Sequence, residues 1–174
     1  MNHDAYSDDY IHAILAGVKT IAMVGATDNS ARPSYFVLKY LLGKGYHVVP
    51  VNPGLAGKEI LGARVYGRLA DVPEPIDLID VFRRPAALPE VVDEALALSP
   101  LPKVIWMQLT LRDDAAAARA EAAGVKVVMN RCLKIEYGRL SGEIGWMGVN
   151  SRALSSKRLV LAEGFQHLSI EPKK

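Results

Sequence analysis

Thr20-Ile-Ala-Met-Val-Gly-Ala-Thr-Asp-Asn-Ser-Ala-Arg-Pro-Ser34 reads as an apolar strand, a polar turn that begins at Gly25, and a helix opened by Pro33. Proline suits the first helical turn, where its missing N–H removes no intrahelical bond. In a wound α/β domain such a turn lies at a helix N-terminus, whose free backbone N–H groups and dipole favour a phosphate. The segment therefore predicts a nucleotide-type phosphate binder. The dinucleotide fingerprint asks for more: GxGxxG in the turn and, about twenty residues later, an acid for the ribose hydroxyl. Here the turn contains one glycine, Gly25, and the second strand, His47 to Val51, ends in Asn52-Pro53 without an acid in the ribose position. NAD is thereby demoted as a ligand.

Outward from this segment the same alternation of apolar strand and amphipathic helix recurs. Ser7 can cap a short helix with Tyr10, Ile11, Ile14 and Leu15 on one face. The helix from Pro33 buries Val37, Leu38 and Leu41 and stops at Gly43 or Gly45. From Gly54 to Pro75 the chain is rich in glycine and turn residues, a functional loop or small excursion with a short helix around Arg68 to Val72. Strand three, Ile76 to Phe82, leads through Arg83-Arg84-Pro85 into a helix carrying Leu88, Val91, Val92, Ala95 and Leu96 at helical spacing. Strand four is Lys103 to Met107; an alanine-dense helix capped by Asp113 or Asp114 ends at Gly124; strand five is Val125 to Met129. Strands rich in Val and Ile between amphipathic helices predict parallel βαβ units with both sheet faces covered. The expected class is α/β, a Rossmann-like three-layer wound fold with a five-stranded parallel sheet in the order 3-2-1-4-5. Its switch point would lie between strands one and four, and ligands bind at the carboxyl ends of strands beside such a point.

Composition sets the outer bounds. The chain has 174 residues, half of them apolar, enough for one domain with a sizeable core. No apolar run approaches eighteen residues, and Asp4, Asp8 and Asp9 stand where a signal peptide would be basic, so the expectation is a cytoplasmic protein with no membrane role. A formal net charge of +2 and few aromatic residues argue against nucleic acid as a partner. The basic bias is local: Arg131, Lys134, Arg139, Arg152, Lys157 and Arg158 make the C-terminal region positive. Cys132 is the only cysteine, which rules out an intrachain disulfide and argues against a zinc site.

Six blocks follow one another in order: VGAT at 24–27 with ARPSY at 31–35, HVVPVNPG at 47–54, DLIDVFRRP at 77–85, VIWMQL at 104–109 and MNRCLKIEYGRL at 129–140. On these blocks the chain resembles the small bacterial coenzyme A-binding proteins of the YccU-like type, which are similar to the N-terminal CoA-binding domain of the succinyl-CoA synthetase alpha subunit. The resemblance covers roughly Tyr10 to Leu140. It implies coenzyme A or an acyl-CoA as the ligand, with the end of strand two and its glycine-rich loop near the adenosine 3′-phosphate. Lys58 stands in that loop, where a cation can recognise a phosphomonoester that NAD lacks. The resembling proteins often carry aspartate where this chain has Asn130, and the departure weakens any acid-base chemistry there.

The residues at the strand ends supply the candidate site. Gly25 permits close backbone approach, so amides near Ala26 and Thr27 can face a pyrophosphate. Thr27 and Ser30 offer hydroxyls, and Arg32 places a cation at the helix entrance. Asn52 and Pro53 close strand two where an adenine ribose would lie. Phe82 offers an apolar wall to adenine or pantetheine. Of Arg83 and Arg84 one is expected to meet phosphate and the other solvent, since adjacent side chains on a turn diverge. Gln108 ends strand four, placed to bond pantetheine amides, and Cys132 follows strand five near the same edge, where it is either a small buried apolar residue or a thiol that meets a thiol-ended ligand.

No GxSxG elbow, HExxH helix or P-loop is present, and His3, His12, His47 and His167 lack a motif tying them to a nucleophile. The leading reading is a CoA or acyl-CoA binding module without evident catalytic apparatus, serving as a sensor, carrier or regulatory module, alone or with a second copy or a protein partner. Two alternatives stay open: an NAD(P)-dependent oxidoreductase on the same fold, and thiol chemistry in which Cys132 forms a mixed disulfide with CoA. The expected division is a binding domain over residues 1–145 and an extension over 146–174, docked, paired with another subunit, or loose.

Overall fold

Ser7 opens the first helix, α1 (Asp8–Gly17), its hydroxyl accepting from the Tyr10 N–H at 3.2 Å, and Ile11, Ile14 and Leu15 form the buried stripe. The structure, a computed structural model, describes residues 1–143. The division at residue 145 and the extension beyond it lie outside the described residues. After α1 come β1 (Thr20–Val24), α2 (Pro33–Gly43) and β2 (His47–Val51). A crossover with a small hairpin of β3 (Glu59–Ile60) and β4 (Ala63–Arg64) leads to β5 (Leu78–Val81). The chain then runs through α3 (Leu88–Leu96), β6 (Val104–Met107), α4 (Asp114–Ala122), β7 (Lys126–Val128) and α5 (Leu133–Leu140). Asp113 caps α4 by accepting the Ala116 N–H at 2.9 Å, and the helix expected near Arg68 to Val72 is a single 3-10 turn, Leu69–Asp71.

Five strands form one parallel sheet in the spatial order β2-β1-β5-β6-β7. Numbered by their place in the chain, these strands run 2-1-3-4-5, which corrects the expected 3-2-1-4-5. The third strand does not reach the outer side of β2 because the crossover already occupies it: Val51 bridges Tyr66, the Tyr66 N–H donates to Pro50 O at 3.0 Å, and the Asn52 N–H donates to Tyr66 O at 2.8 Å. Pro50, in the middle of β2, has no N–H for a second ladder, and proline is confined to sheet edges for that reason. The switch point therefore lies between β1 and β5, not between the first and fourth strands.

Alternation along each strand divides the core in two. Ile21 and Met23 of β1 and Trp106 of β6 pack with α1, α2 and α5, whereas Ala22, Val24 and Met107 pack with α3 and α4. Trp106 is fully buried, and its indole N–H donates to Arg131 O at 2.8 Å, fixing the chain between β7 and α5. Helix α5 completes the three layers. No apolar periodicity announces it, because Gly138 and the Glu136–Arg139 ion pair (2.8 Å) interrupt the pattern, and its stability comes from burying Leu133 and Tyr137.

Candidate functional site

Gly25 ends β1 at the switch point with φ +86°, and a Cβ built there would stand 2.1 Å from Phe82 O. Glycine is needed both for the left-handed backbone and for the close passage of the chain leaving β5. This approach joins the two strand ends, and a cleft opens above them. The larger cavity, about 470 Å³, lies between that junction, the start of α2, the segment after β6 and the head of α5. Gly25, Thr27, Arg32, Phe82, Arg83, Gln108 and Cys132 all line it. Seven of the residues selected from sequence are thus brought together. Two arginines and no Asp or Glu line this cavity among the described residues.

A second cavity of about 110 Å³ lies on the other side of the junction, again bounded by Gly25 and Arg83, with Pro53, Arg68, Glu90 and Glu94 around it. Arg83 faces both cavities and Arg84 neither, in line with the divergence expected of adjacent side chains.

The remaining candidates lie elsewhere. Ala26 is fully buried, and its carbonyl accepts from Asn52 Nδ2 at 2.7 Å. Asn52 in turn accepts the Gly54 N–H at 2.9 Å, so its side chain clips the Gly25 turn to the loop after β2 rather than facing either cavity. Ser30 and Lys58 are exposed and line neither cavity. Seven residues separate Gly25 from the start of α2, and the loop is braced internally: Thr27 Oγ1 accepts the Asn29 N–H at 3.2 Å and Asn29 Oδ1 the Ala31 N–H at 2.9 Å. The turn at Gly25 is therefore not itself the helix N-terminus; Arg32, Pro33 and Ser34 bring that terminus to the cleft.

Three contributors escaped the sequence reading. Ser34 is buried on the cleft wall at the first turn of α2. Thr110, also on the wall, holds φ +70°, an uncommon and strained value for a β-branched residue, with its N–H donated to Asn130 Oδ1 at 2.8 Å. Asn130 is thus a brace for the wall, and an aspartate could accept the same bond. Asp80, at the centre of β5, is fully buried; Gln108 Nε2 donates to its Oδ1 at 2.8 Å, while Oδ2 has no partner among the described residues. Burial pushes its carboxyl up to about 7, opposed by the Gln108 bond. An acid inside the apolar run Leu78-Ile-Asp-Val-Phe82 was the available signal, since a strand covered on both faces rarely holds one.

Cys132 is half-buried at the head of α5, and burial pushes its thiol up despite the lowering influence of the Ile135 and Lys134 N–H groups. It is a neutral thiol at physiological pH, which gives no support to an activated nucleophile. Among the described residues no group of three or more His, Cys, Asp and Glu could hold a metal ion, and no helix is long and apolar enough to cross a membrane.

The family described as "CoA binding domain" matches residues 19–138. The uncharacterized protein YneT of Bacillus subtilis is 35% identical over 127 residues, spanning 73% of this chain and 91% of YneT. The structure of the Thermus thermophilus protein called cell-free ID.343 is 40% identical with a TM-score of 0.73, covering 78% of this chain and 99% of that one. An acetate–CoA ligase (ADP-forming) of Methanocaldococcus jannaschii is 28% identical over 86 residues, which is 49% of this chain but 12% of the ligase. The matched region runs from the residue before β1 into α5, the whole wound sheet with its cleft, and the chain belongs to the CoA binding domain family.

Proposed function

We propose that this protein binds coenzyme A or an acyl-CoA across the switch point and acts as a carrier, sensor or regulatory module rather than by chemistry of its own. The observation that carries this reading is the pair of cavities that share Gly25 and Arg83. An extended ligand with phosphates at its middle suits that arrangement: the pyrophosphate lies over the junction near Arg83 and Arg32, where guanidinium groups can bond phosphate oxygens in pairs. The adenosine end takes the smaller cavity beside Pro53, and Arg68 replaces Lys58 as the cation for the 3′-phosphate. The pantetheine arm takes the larger cavity, whose walls combine Val37, Phe82 and Leu111 with the polar Gln108, and its thiol or acyl end comes near Cys132. A cytoplasmic setting follows from that ligand, and a partner that reads occupancy would complete the role.

Calorimetric titration with CoA, dephospho-CoA and NAD in parallel tests the reading. CoA is expected to bind, and dephospho-CoA to bind about tenfold more weakly for loss of a charge-assisted contact. Arg83→Ala is expected to weaken both. Binding of NAD with no response to CoA would overturn the proposal in favour of an oxidoreductase.

A further inference from the structure

Asp80 is hard to explain as a structural residue. Its strand neighbours Met23 and Trp106 are apolar and buried, so the carboxyl sits in low-dielectric surroundings. A core acid kept for stability has both oxygens bonded, since each unpaired buried oxygen costs desolvation that nothing returns. Here one oxygen has no partner and the other has a single one, Gln108, which lines the cleft. Asp80 itself does not line it.

We propose that Asp80 is a positioning residue for the cleft, which holds the Gln108 side-chain amide by its N–H and so turns the Gln108 carbonyl toward the ligand as a hydrogen-bond acceptor. Carbonyl and NH2 of a primary amide exchange places by a half-turn, and packing barely distinguishes them. An ionised Asp80 does distinguish them, because the reversed amide would set carbonyl against carboxylate. The ligand group beside Gln108 is then an N–H donor, and on the proposal that the cleft takes CoA it is an amide of the pantetheine arm. Protonation removes the discrimination: a neutral carboxyl can donate to the Gln108 carbonyl, which leaves the amide free to reverse. With the proton affinity of Asp80 raised by burial, this change falls close to neutral pH. Few other groups near Asp80 can imitate it. Met23 on β1 and Trp106 on β6 do not ionise, and burial keeps the Cys132 thiol at the head of α5 protonated; the cleft walls also carry Arg32 and Arg83.

The test has a ligand-free arm and a ligand arm. In the free protein, the Gln108 side-chain amide signals, assigned by their loss in Gln108→Met, are followed by NMR from pH 6 to pH 8.5. They are expected to move with a midpoint near neutrality in the wild type and to stay fixed in Asp80→Asn. Signals that ignore pH, or that move equally in Asp80→Asn, overturn the proposal. In the ligand arm, Asp80→Asn is expected to weaken CoA about fivefold at pH 8, the value of one neutral hydrogen bond, and to match the wild type within twofold at pH 6. Both proteins see the same titrating phosphates, so the ratio isolates Asp80. A ratio independent of pH overturns the proposal, and Gln108→Met should abolish the pH dependence as well. Failure of the wild type to bind CoA would overturn the assignment of the ligand alone, and the amide titration would still decide the positioning role.

Discussion

Replacing Asp80 by asparagine should change how stability depends on pH, by an amount that can be worked out from the buried carboxyl. The folded state raises this group from 3.8 to about 7. Because the folded value lies above the unfolded one, the folded protein binds more protons through that window, and stability falls as pH rises across it. Below the unfolded value both states are protonated and nothing is lost; above about 7 the loss is complete. At about 1.36 kcal/mol for each tenfold change in proton affinity, the full penalty is about 4 kcal/mol, of which about 3 kcal/mol develops between pH 4.5 and pH 8. That is a large share of the 5–15 kcal/mol or so typical of a domain. Asparagine does not titrate, so the stability of Asp80→Asn relative to wild type should climb by about 3 kcal/mol over the same interval. Urea unfolding at several pH values measures it, and all other acids cancel in the difference. Parallel curves for the two proteins would refute the argument, for they would mean that the carboxyl ionises as readily folded as unfolded.

Other perturbations follow from the site geometry. Gly25→Ala places a Cβ against Phe82 O in a left-handed backbone, and should destabilise the fold by on the order of 3 kcal/mol in chemical denaturation. Asn52→Ala removes the bonds to Ala26 O and from the Gly54 N–H; it should lower stability by about 2 kcal/mol and weaken CoA several-fold in calorimetry by loosening the turn. The Cys132 thiol should react with an aromatic disulfide reagent more slowly than free cysteine at pH 7.5, because burial disfavours its thiolate, and Cys132→Ser should retain CoA binding.

Much of the fold and part of the site are legible before any coordinates exist. Ser7 and Asp113 as caps, Gly25 and Gly45 with positive φ, and the apolar spacing of Val91, Val92 and Ala95 are each decided within a few residues. One residue bore on the strand order: Pro50 argues against a place for β2 between two strands, and so against 3-2-1-4-5, but it does not say which strand lies on the other side of β1. Helix α5 was not legible, since tertiary burial of Leu133 and Tyr137 outweighs a poor local pattern. Lys58 and Ser30 look apt for phosphate by residue type alone, yet both stand exposed on loops away from the cleft: Lys58 is held by backbone bonds with Leu55 and Val65, and Ser30 lies in a turn braced by the Asn29–Ala31 bond.

By itself the sequence determined a parallel α/β domain with a glycine turn after its first strand and cations at the strand ends, because periodicity, capping and backbone conformation are local properties. Only the tertiary structure decided which ends meet. The crossover between β2 and β5 covers the outer edge of β2 and sends β5 to the other side of β1. This brings Phe82 and Arg83 against Gly25 and places Asp80 beneath Gln108, contacts between residues as many as 58 apart in the chain that no short-range rule encodes.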